Sequence, residues 1–453
     1  MKEQISINEE REFQIEELFF STTDLNGKIT SGNEVFTRIS GYETGEILGK
    51  PHSLIRHADM PRVVFRLLWD RIQAGSPIAA YVKNRAKNGS YYWVLAFVSP
   101  IPNGYLSVRF KPTTETLNVV TDLYKVLRKA EIETEQQAGM TKEDAIQRSS
   151  VMLHESLHSL GFKDYDAFIE ATFFCEFCKR RDLCRGKKGD VRPGSYESVV
   201  QILKTLSRKF GIIFDKKDQF ISLNDRIADA TEFVRVVSES IRLAALNLTI
   251  KSERLSSANG PLSVISEWLL HGSHSLSENL DSAIGPILDE LEQVRRGLFS
   301  LACSQLQIDM IEYFVGEFET LSPMQRGYSD QEGAELIRLL IASAHSTYQH
   351  SVGYLSHLSA VVKSINESFD GLHRDVLSLG LAQVNGKVES TRLDVSGRLE
   401  GILEEVVTGI ENAESKLSEL GDGFQKVERV LKDFGKSSNE IKRGYETLVH
   451  QRS

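Results

Sequence analysis

The stretch AYVKNRAKNGSYYWVLAFVSPIPNGYLSVRF, Ala80–Phe110, decides the fold. Two Asn-Gly pairs punctuate it, Asn88-Gly89 and Asn103-Gly104. The segments around them, Ala80–Asn84, Tyr91–Ser99 and Tyr105–Phe110, carry the β-branched and aromatic residues that suit strands. Asn-Gly supplies the positive φ angles of tight type I′ hairpins, so the stretch predicts three antiparallel strands joined by two such turns. A third pair, Asn26-Gly27, stands between Phe19–Thr23 and Lys28–Ser31 and predicts one more hairpin. Shorter helical pieces lie between them at Asn33–Ile39, Gly45–Leu48 and Arg62–Ala74. Together they predict a small α+β domain. Its five-stranded antiparallel sheet keeps one face open, on which short helices fold over a ligand.

Outside this domain the chain changes character. Its 453 residues exceed one compact domain, and 41% hydrophobic with 26% charged residues suit folded material. A formal charge of −9 argues against nucleic acid as the main partner, because phosphate backbones need clustered positive charge. Apolar runs stay short of the roughly 18 residues of a membrane span. The opening MKEQISINEEREF lacks the apolar core of a secretion signal, so the expected location is the cytoplasm. Four cysteines, three of them bunched, do not make a disulfide framework.

From about residue 113 the pattern is helical almost to the end. One heptad series runs Leu355, Leu358, Val362, Ile365, Phe369, Leu372, Val376, Leu379. Another runs Leu399, Leu403, Val406, Ile410, Ala413, Leu417, Leu420, Phe424, Val427, Leu431, Phe434. A third, Leu280 to Leu301, keeps the rhythm across Pro286. Steps of three and four residues hold one apolar seam toward a partner helix, the coiled-coil condition. A duplicated phrase marks this region: LNLTIKSERL at 246–255 and VNGKVESTRL at 384–393. Each copy precedes a break, Ser256–Pro261 and Asp394–Gly397, read as a hairpin tip. Four arms follow, near 195–255, 262–320, 331–392 and 398–447, predicting an all-α long antiparallel four-helix coiled-coil bundle.

The phrase resembles the tip of the cytoplasmic domain of methyl-accepting chemotaxis proteins. Leu243-Ala244-Ala245-Leu246-Asn247 with Ile250 and Arg254 falls on the family's pattern without a gap, as do Asn385, Val388, Glu389 and Arg392. The family's glutamate is Lys251 in the first copy, and the glycine-rich turn after the arginine is missing from both. The resemblance implies two receptor-like hairpins in one chain, 195–320 and 331–448, forming a single-chain pseudo-dimer. Its implied partners are the chemotaxis histidine kinase and coupling protein.

The N-terminal motifs are more specific. IRHADMP (Ile55–Pro61), Trp69, KNRAKNGSYYWV (Lys83–Val94), STTDLNGKITSGNEVF (Ser21–Phe36), SGYETGEILGKPHSLI (Ser40–Ile55) and KPTTETLNVVTDLYKVL (Lys111–Leu127) keep their order. This span, about 10–130, resembles the PAS domain of bacterial aerotaxis receptors. The resemblance implies non-covalent FAD as a redox reporter, with Asn33, Arg56, His57, Asp59 and Trp69 as flavin contacts. In this chain Ile78 replaces the family's tryptophan and the loop near Asn103 is shorter. The residues also allow Arg56 and His57 an internal ion pair with Asp59, and leave open a haem held by His52 or His57.

Between PAS domain (1–112) and hairpins, segment 113–194 carries a Cys/His cluster. FCEFCKRRDLC places Cys175, Cys178 and Cys184 close together, and His154 and His158 form H-E-x-x-H on a helix face. Zinc or an iron–sulfur cluster is one reading; reduced thiols among Phe173, Phe174 and Phe177 is the other. No kinase, cyclase or P-loop signature is present, so the expectation is a non-enzymatic PAS sensor of redox or oxygen state in energy taxis. A ligand-free PAS adaptor binding other proteins is the alternative.

Overall fold

The computed structural model describes residues 8–186, 194–216, 232–250, 261–356, 358–392 and 396–450. Five strands form one sheet: β1 (Phe19–Asp24), β2 (Ile29–Gly32), β3 (Ile78–Arg85), β4 (Tyr91–Ile101) and β5 (Gly104–Phe110). Their order is β2-β1-β5-β4-β3, with every neighbouring pair antiparallel. Helices α1 (Glu34–Ser40), α2 (Thr44–Ile47) and α3 (Arg62–Gln73), with a 3-10 turn at His52–Ile55, fill the β2–β3 connection. This is the α+β domain that the Asn-Gly pairs predicted.

The turns differ from the predicted type I′ geometry, for local reasons. In the β1–β2 loop the Gly27 N–H donates to the Asp24 carbonyl at 3.0 Å, and of the pair only Gly27 takes positive φ, at 73°. The Asp24 carboxylate holds the turn by accepting from the N–H groups of Asn26 and Lys28, at 2.9 and 2.8 Å. In the β3–β4 loop the Gly89 N–H likewise donates to the Ala86 carbonyl at 3.0 Å, and Gly89 takes positive φ, 96°. Both are longer loops closed by a glycine in the left-handed region. Between β4 and β5 the loop residues are Pro102 and Asn103. Proline fixes negative φ, so Asn103 takes the positive φ, 64°, and Gly104 opens the strand. Gly104 is needed for another reason: a Cβ there would sit 1.9 Å from the Thr23 carbonyl oxygen of β1.

The remaining elements are helical: α4 (Thr116–Glu135), α5 (Lys142–Ser159), α6 (Tyr165–Leu183), α7 (Glu197–Phe214), α8 (232–250), α9 (Pro261–Thr320), α10 (Pro323–Arg326), α11 (Asp330–Ser356), α12 (Leu358–Arg392) and α13 (Ser396–His450). Helix α9 is continuous through Pro286. The chain divides into two compact units, one of Met1–Gly211, Arg295–Gly353 and Ser438–Ser453, the other of Ile212–Val294 and Tyr354–Ser437.

In the first unit the sheet has two dissimilar faces, because successive strand residues point to opposite sides. Phe20, Phe97 and Phe110 face the helices: Phe20 packs on Phe314 of α9, Phe97 on Phe173 and Phe299, Phe110 on Phe173. Each buried ring is worth about 1.5–3 kcal/mol. Helices α7, α9, α11 and α13 join through Phe210 against Tyr348, the Tyr348 hydroxyl donating to Ser438 O at 2.7 Å, and the Ser304 and Tyr445 hydroxyls at 2.8 Å.

The second unit is an apolar-seamed helical bundle. Ile241, Ala244 and Leu248 of α8, Leu269 and Leu276 of α9, Leu372, Val376 and Leu379 of α12, and Val406, Ile410, Ala413 and Leu417 of α13 are buried. The Ser238 hydroxyl donates to Ser273 O at 2.7 Å, Asn279 donates to Asp375 at 2.6 Å, and Gly409 lies against Val237. The predicted seams are thus buried where their residues are described. The expected hairpin tips fall on residues 251–260 and 393–395, outside the described residues. Leu246, Ile250, Val384 and Val388 of the duplicated phrase are exposed.

Candidate functional site

The other face of the sheet carries a cavity of about 710 Å3. Strands supply Val82, Asn84, Ala96, Val98, Tyr105, Ser107 and Arg109; α3 supplies Phe65, Leu68 and Trp69; the 3-10 segment supplies His52 and Arg56. The volume falls within the roughly 300–1,000 Å3 of small-molecule sites.

Its chemistry centres on Arg109 of β5, which is 2% exposed. One guanidinium nitrogen donates to Ser21 Oγ at 2.9 Å and to His52 Nε2 at 2.6 Å, while the other, Nη1, is buried with no hydrogen-bond partner among the described residues. Burial lowers the Arg109 pKa to about 10, which leaves it charged at neutral pH. His52 responds in the opposite sense of use: burial first, then the Arg109 charge, push its pKa down to about 3. The imidazole is therefore neutral and accepts the Arg109 proton at Nε2. Asn84 Nδ2 is a second buried donor without a partner among the described residues. Buried donors are nearly always satisfied, so two at one cavity wall point to an acceptor-rich ligand.

The wall adds an aromatic surface and positive charge. Trp69 meets Tyr105 edge-on with ring centroids 5.7 Å apart, and Gly27 makes room for its indole, since a Cβ there would approach it to 2.9 Å. Arg56, Arg62, Arg66, Arg109, Lys142 and Asp70 line the cavity, with Arg62 paired to Glu135 and Arg66 to Glu143. Arg56 lies over the Phe65 ring at 4.0 Å and donates to Met60 O at 3.1 Å. Burial and neighbouring Arg62 lower its pKa to about 10.

Of the residues carried over by resemblance, Arg56 and Trp69 line this cavity; Asn33, His57 and Asp59 do not. Asn33 is buried at the start of α1, accepting from Phe20 N at 3.1 Å and donating to Leu18 O at 3.1 Å and to Glu317 of α9 at 3.2 Å. His57 Nδ1 accepts from Asp59 N at 3.2 Å and lies 3.3 Å from the Asp59 carboxylate. Asp59, 59% exposed at its side chain, pairs with Lys83 at 2.7 Å. Burial lowers the His57 pKa.

The cysteine and histidine motifs lie elsewhere. Cys175 is exposed and Cys178 buried on α6, with Cys184 at the helix end. His154 and His158 are exposed on α5, ring centroids 6.0 Å apart. Among the described residues no three His, Cys, Asp or Glu side chains converge as a metal site would require.

Sequence reasoning missed Asn84 and Arg109, and weighed His52 only for haem. The available signal was the alternation of Ser107 and Arg109 with Leu106, Val108 and Phe110, which puts the polar pair on one face. Alternation does not distinguish a face toward solvent from one toward a cavity.

Carboxylates from the helices, Glu176 buried and Glu317 half-buried, also meet this domain at backbone N–H groups. Glu176 of α6 accepts from Thr113 N and Thr114 N, at 2.6 and 3.0 Å, just after β5. It also takes the Tyr81 hydroxyl at 3.2 Å. Glu317 accepts from Glu34 N at the start of α1, at 3.4 Å.

Residues 29–107 match the PAS fold family. Over 112 residues the chain is 43% identical to the aerotaxis receptor of Escherichia coli K12, a stretch covering 24% of this chain and 22% of that one. It is 34% identical over 82 residues to the biofilm dispersion protein BdlA of Pseudomonas aeruginosa, covering 18% and 20%. It is 28% identical over 83 residues to a nitrogen fixation regulatory protein of Klebsiella pneumoniae, covering 18% and 17%. The matched stretch spans about a fifth of these relatives' length. The N-terminal region is a PAS domain homologous to those of the aerotaxis receptor and BdlA, and the long helical remainder is consistent with a chemoreceptor-like signalling domain. No described helix is long and apolar enough to cross a membrane.

Proposed function

We propose that this chain, with its PAS domain as the sensing end, is a cytoplasmic redox or oxygen sensor of the energy-taxis kind that holds FAD in the PAS cavity. The observation that carries the reading is the cavity wall: buried Arg109 with an Nη1 and Asn84 with an Nδ2 that meet no partner among the described residues, the Trp69–Tyr105 surface and the Arg56 guanidinium. These suit an acceptor-edged aromatic ring joined to phosphates. The similarity to the aerotaxis receptor supports it. When bound, FAD would supply a redox couple whose state follows the cell's electron supply.

The chain's own residues would do the rest. Arg109 and Asn84 would donate to ring acceptors, and neutral His52 fixes the guanidinium by accepting from it. Trp69 would exclude water along the ring face, and Arg56 would meet a phosphate. Output would pass into two receptor-like hairpins, 195–320 and 331–448, and from there to signalling proteins such as a histidine kinase and its coupling protein. The test is the absorbance spectrum of the purified full-length protein, followed by FAD titration. A yellow, saturable preparation is expected. A folded, colourless protein that gives no heat with FAD in calorimetry overturns the reading in favour of a ligand-free adaptor.

A further inference from the structure

Helix α3 starts from Pro61, which offers no side-chain cap. The first N–H groups of a helix have no partner within it and take acceptors from elsewhere. Here the acceptor comes from α4. The fully buried Glu131 carboxylate accepts from Arg62 N at 2.7 and 2.9 Å and from Val63 N at 3.1 Å. It also accepts from Arg128 Nη1 at 3.1 Å and from the Ser149 hydroxyl of α5 at 3.0 Å. One turn along α4, Glu135 binds the Arg62 guanidinium at 2.6 Å. Three helices therefore meet at one carboxylate. The same α3 presents Phe65, Leu68 and Trp69 to the cavity, and α5 adds Lys142 and Ile146.

We propose that Glu131 is the positioning residue through which the state of the PAS cavity is read by α4, the helix that leads out of the domain. The inference rests on the cavity being the sensory site, and it deepens that reading by naming the connection. A buried carboxylate is costly to leave partly unpaired, so its partners move with it or lose a charge-assisted bond. When α3 shifts to admit or release a ligand, its first turn carries the Arg62 and Val63 N–H groups. Glu131, and with it α4, follows. A helix capped by its own side chain would move alone; α3, capped in trans, does not.

The test is hydrogen exchange by mass spectrometry on the full-length chain, read at the amides of 116–135 and 142–159, in a cycle of native protein, Trp69→Ala, Glu131→Gln and the double variant. Trp69→Ala perturbs the cavity wall without any ligand. It is expected to speed exchange in the second half of α4 by about tenfold when Glu131 is present and by less than about twofold in the Glu131→Gln background. An equal response in both backgrounds overturns the proposal. If circular dichroism shows Glu131→Gln unfolded, Ser149→Ala replaces it, removing one bond and keeping the charge. A reduced Trp69→Ala response is then expected, and an unchanged one overturns the proposal. The same amides are read after FAD addition. Failure to bind FAD sinks the sensor reading but leaves the Trp69 result to decide the role of Glu131.

Discussion

The two faces of the PAS sheet use the same strands for opposite ends. Toward the helices, Phe20, Phe97 and Phe110 lock into rings from α6 and α9, and the polar group that enters, Glu176, has its bonds filled by Thr113, Thr114 and Tyr81. Toward the cavity, one residue away along each strand, the side chains are Val82, Asn84, Ala96, Val98, Ser107 and Arg109, and donors remain unfilled. The first face is settled by packing. The second keeps unsatisfied donors and open volume, a condition costly for folding and useful for binding. Substitutions on the two faces should therefore fail in different currencies, the first in stability and the second in affinity.

The largest effect is expected from Phe97→Ala. Its ring is fully buried between Phe173 and Phe299, so truncation should cost about 3–5 kcal/mol in denaturant unfolding. A loss below about 1 kcal/mol would mean that the helices do not hold this face. On the cavity side, Arg109→Leu removes a buried charge that lacks one partner, so ligand-free stability should be unchanged or higher. FAD affinity should drop by roughly 10- to 100-fold, as expected for losing a charged hydrogen-bond donor, measured by titration. Lost stability with retained affinity would reverse the assignment of the faces.

The same contrast explains what was legible in the sequence. Local rules found the strands: residues around Asn26, Asn88 and Asn103 are the turns, and all five predicted strands match within a few residues. Turn type was misread at Asn103 because Pro102 vetoes positive φ, a constraint from one residue that the dipeptide rule ignores. Heptads likewise marked Leu372, Val376, Ile410 and Leu417 as seam residues, and they are buried. Long-range pairings were not legible. Nothing in the sequence sets Glu131, Glu176 and Glu317 apart from other glutamates, because their partners lie 69, 63 and 284 positions away. Asn33 was placed at a ligand by resemblance, whereas its side chain serves β1 and α9.

Glu317 sharpens the comparison with a pH dependence. Burial, then the nearby Glu34 charge, raise its pKa from 4.5 to about 8, opposed by the bonds from Glu34 N and Asn33. The folded chain thus holds this proton more tightly than the unfolded chain between about pH 4.5 and 8. The contribution is fully present below that window and is lost as pH rises through it. Glu317→Gln should flatten the decline between pH 6 and 8.5 by ~1 kcal/mol or more, seen in urea midpoints. Parallel pH curves for the two proteins would show that the carboxyl is not held in that state. Glu17, Arg38 and Tyr313 stand nearby and are left intact by this substitution.

The smallest effect belongs to the rim, where neither face has hold. Asp59 is largely exposed and engages Lys83 and the His57 ring, while His57 itself is 5% exposed. Ion pairs with an exposed carboxylate contribute about 0–1 kcal/mol, because water already solvates the Asp59 charge well, although Lys83 is only 14% exposed. Asp59→Asn keeps the shape and removes the charge. Stability should change by less than about 1 kcal/mol and FAD affinity by less than about threefold. A tenfold loss of affinity at unchanged stability would move Asp59 from the rim into direct contact with the ligand. It would also require the IRHADM segment to approach the cavity more closely in the bound protein than it does here. The cavity face would then extend past the strands to the residues that follow the 3-10 turn, and the division between packing and binding would run through that segment, not through the sheet.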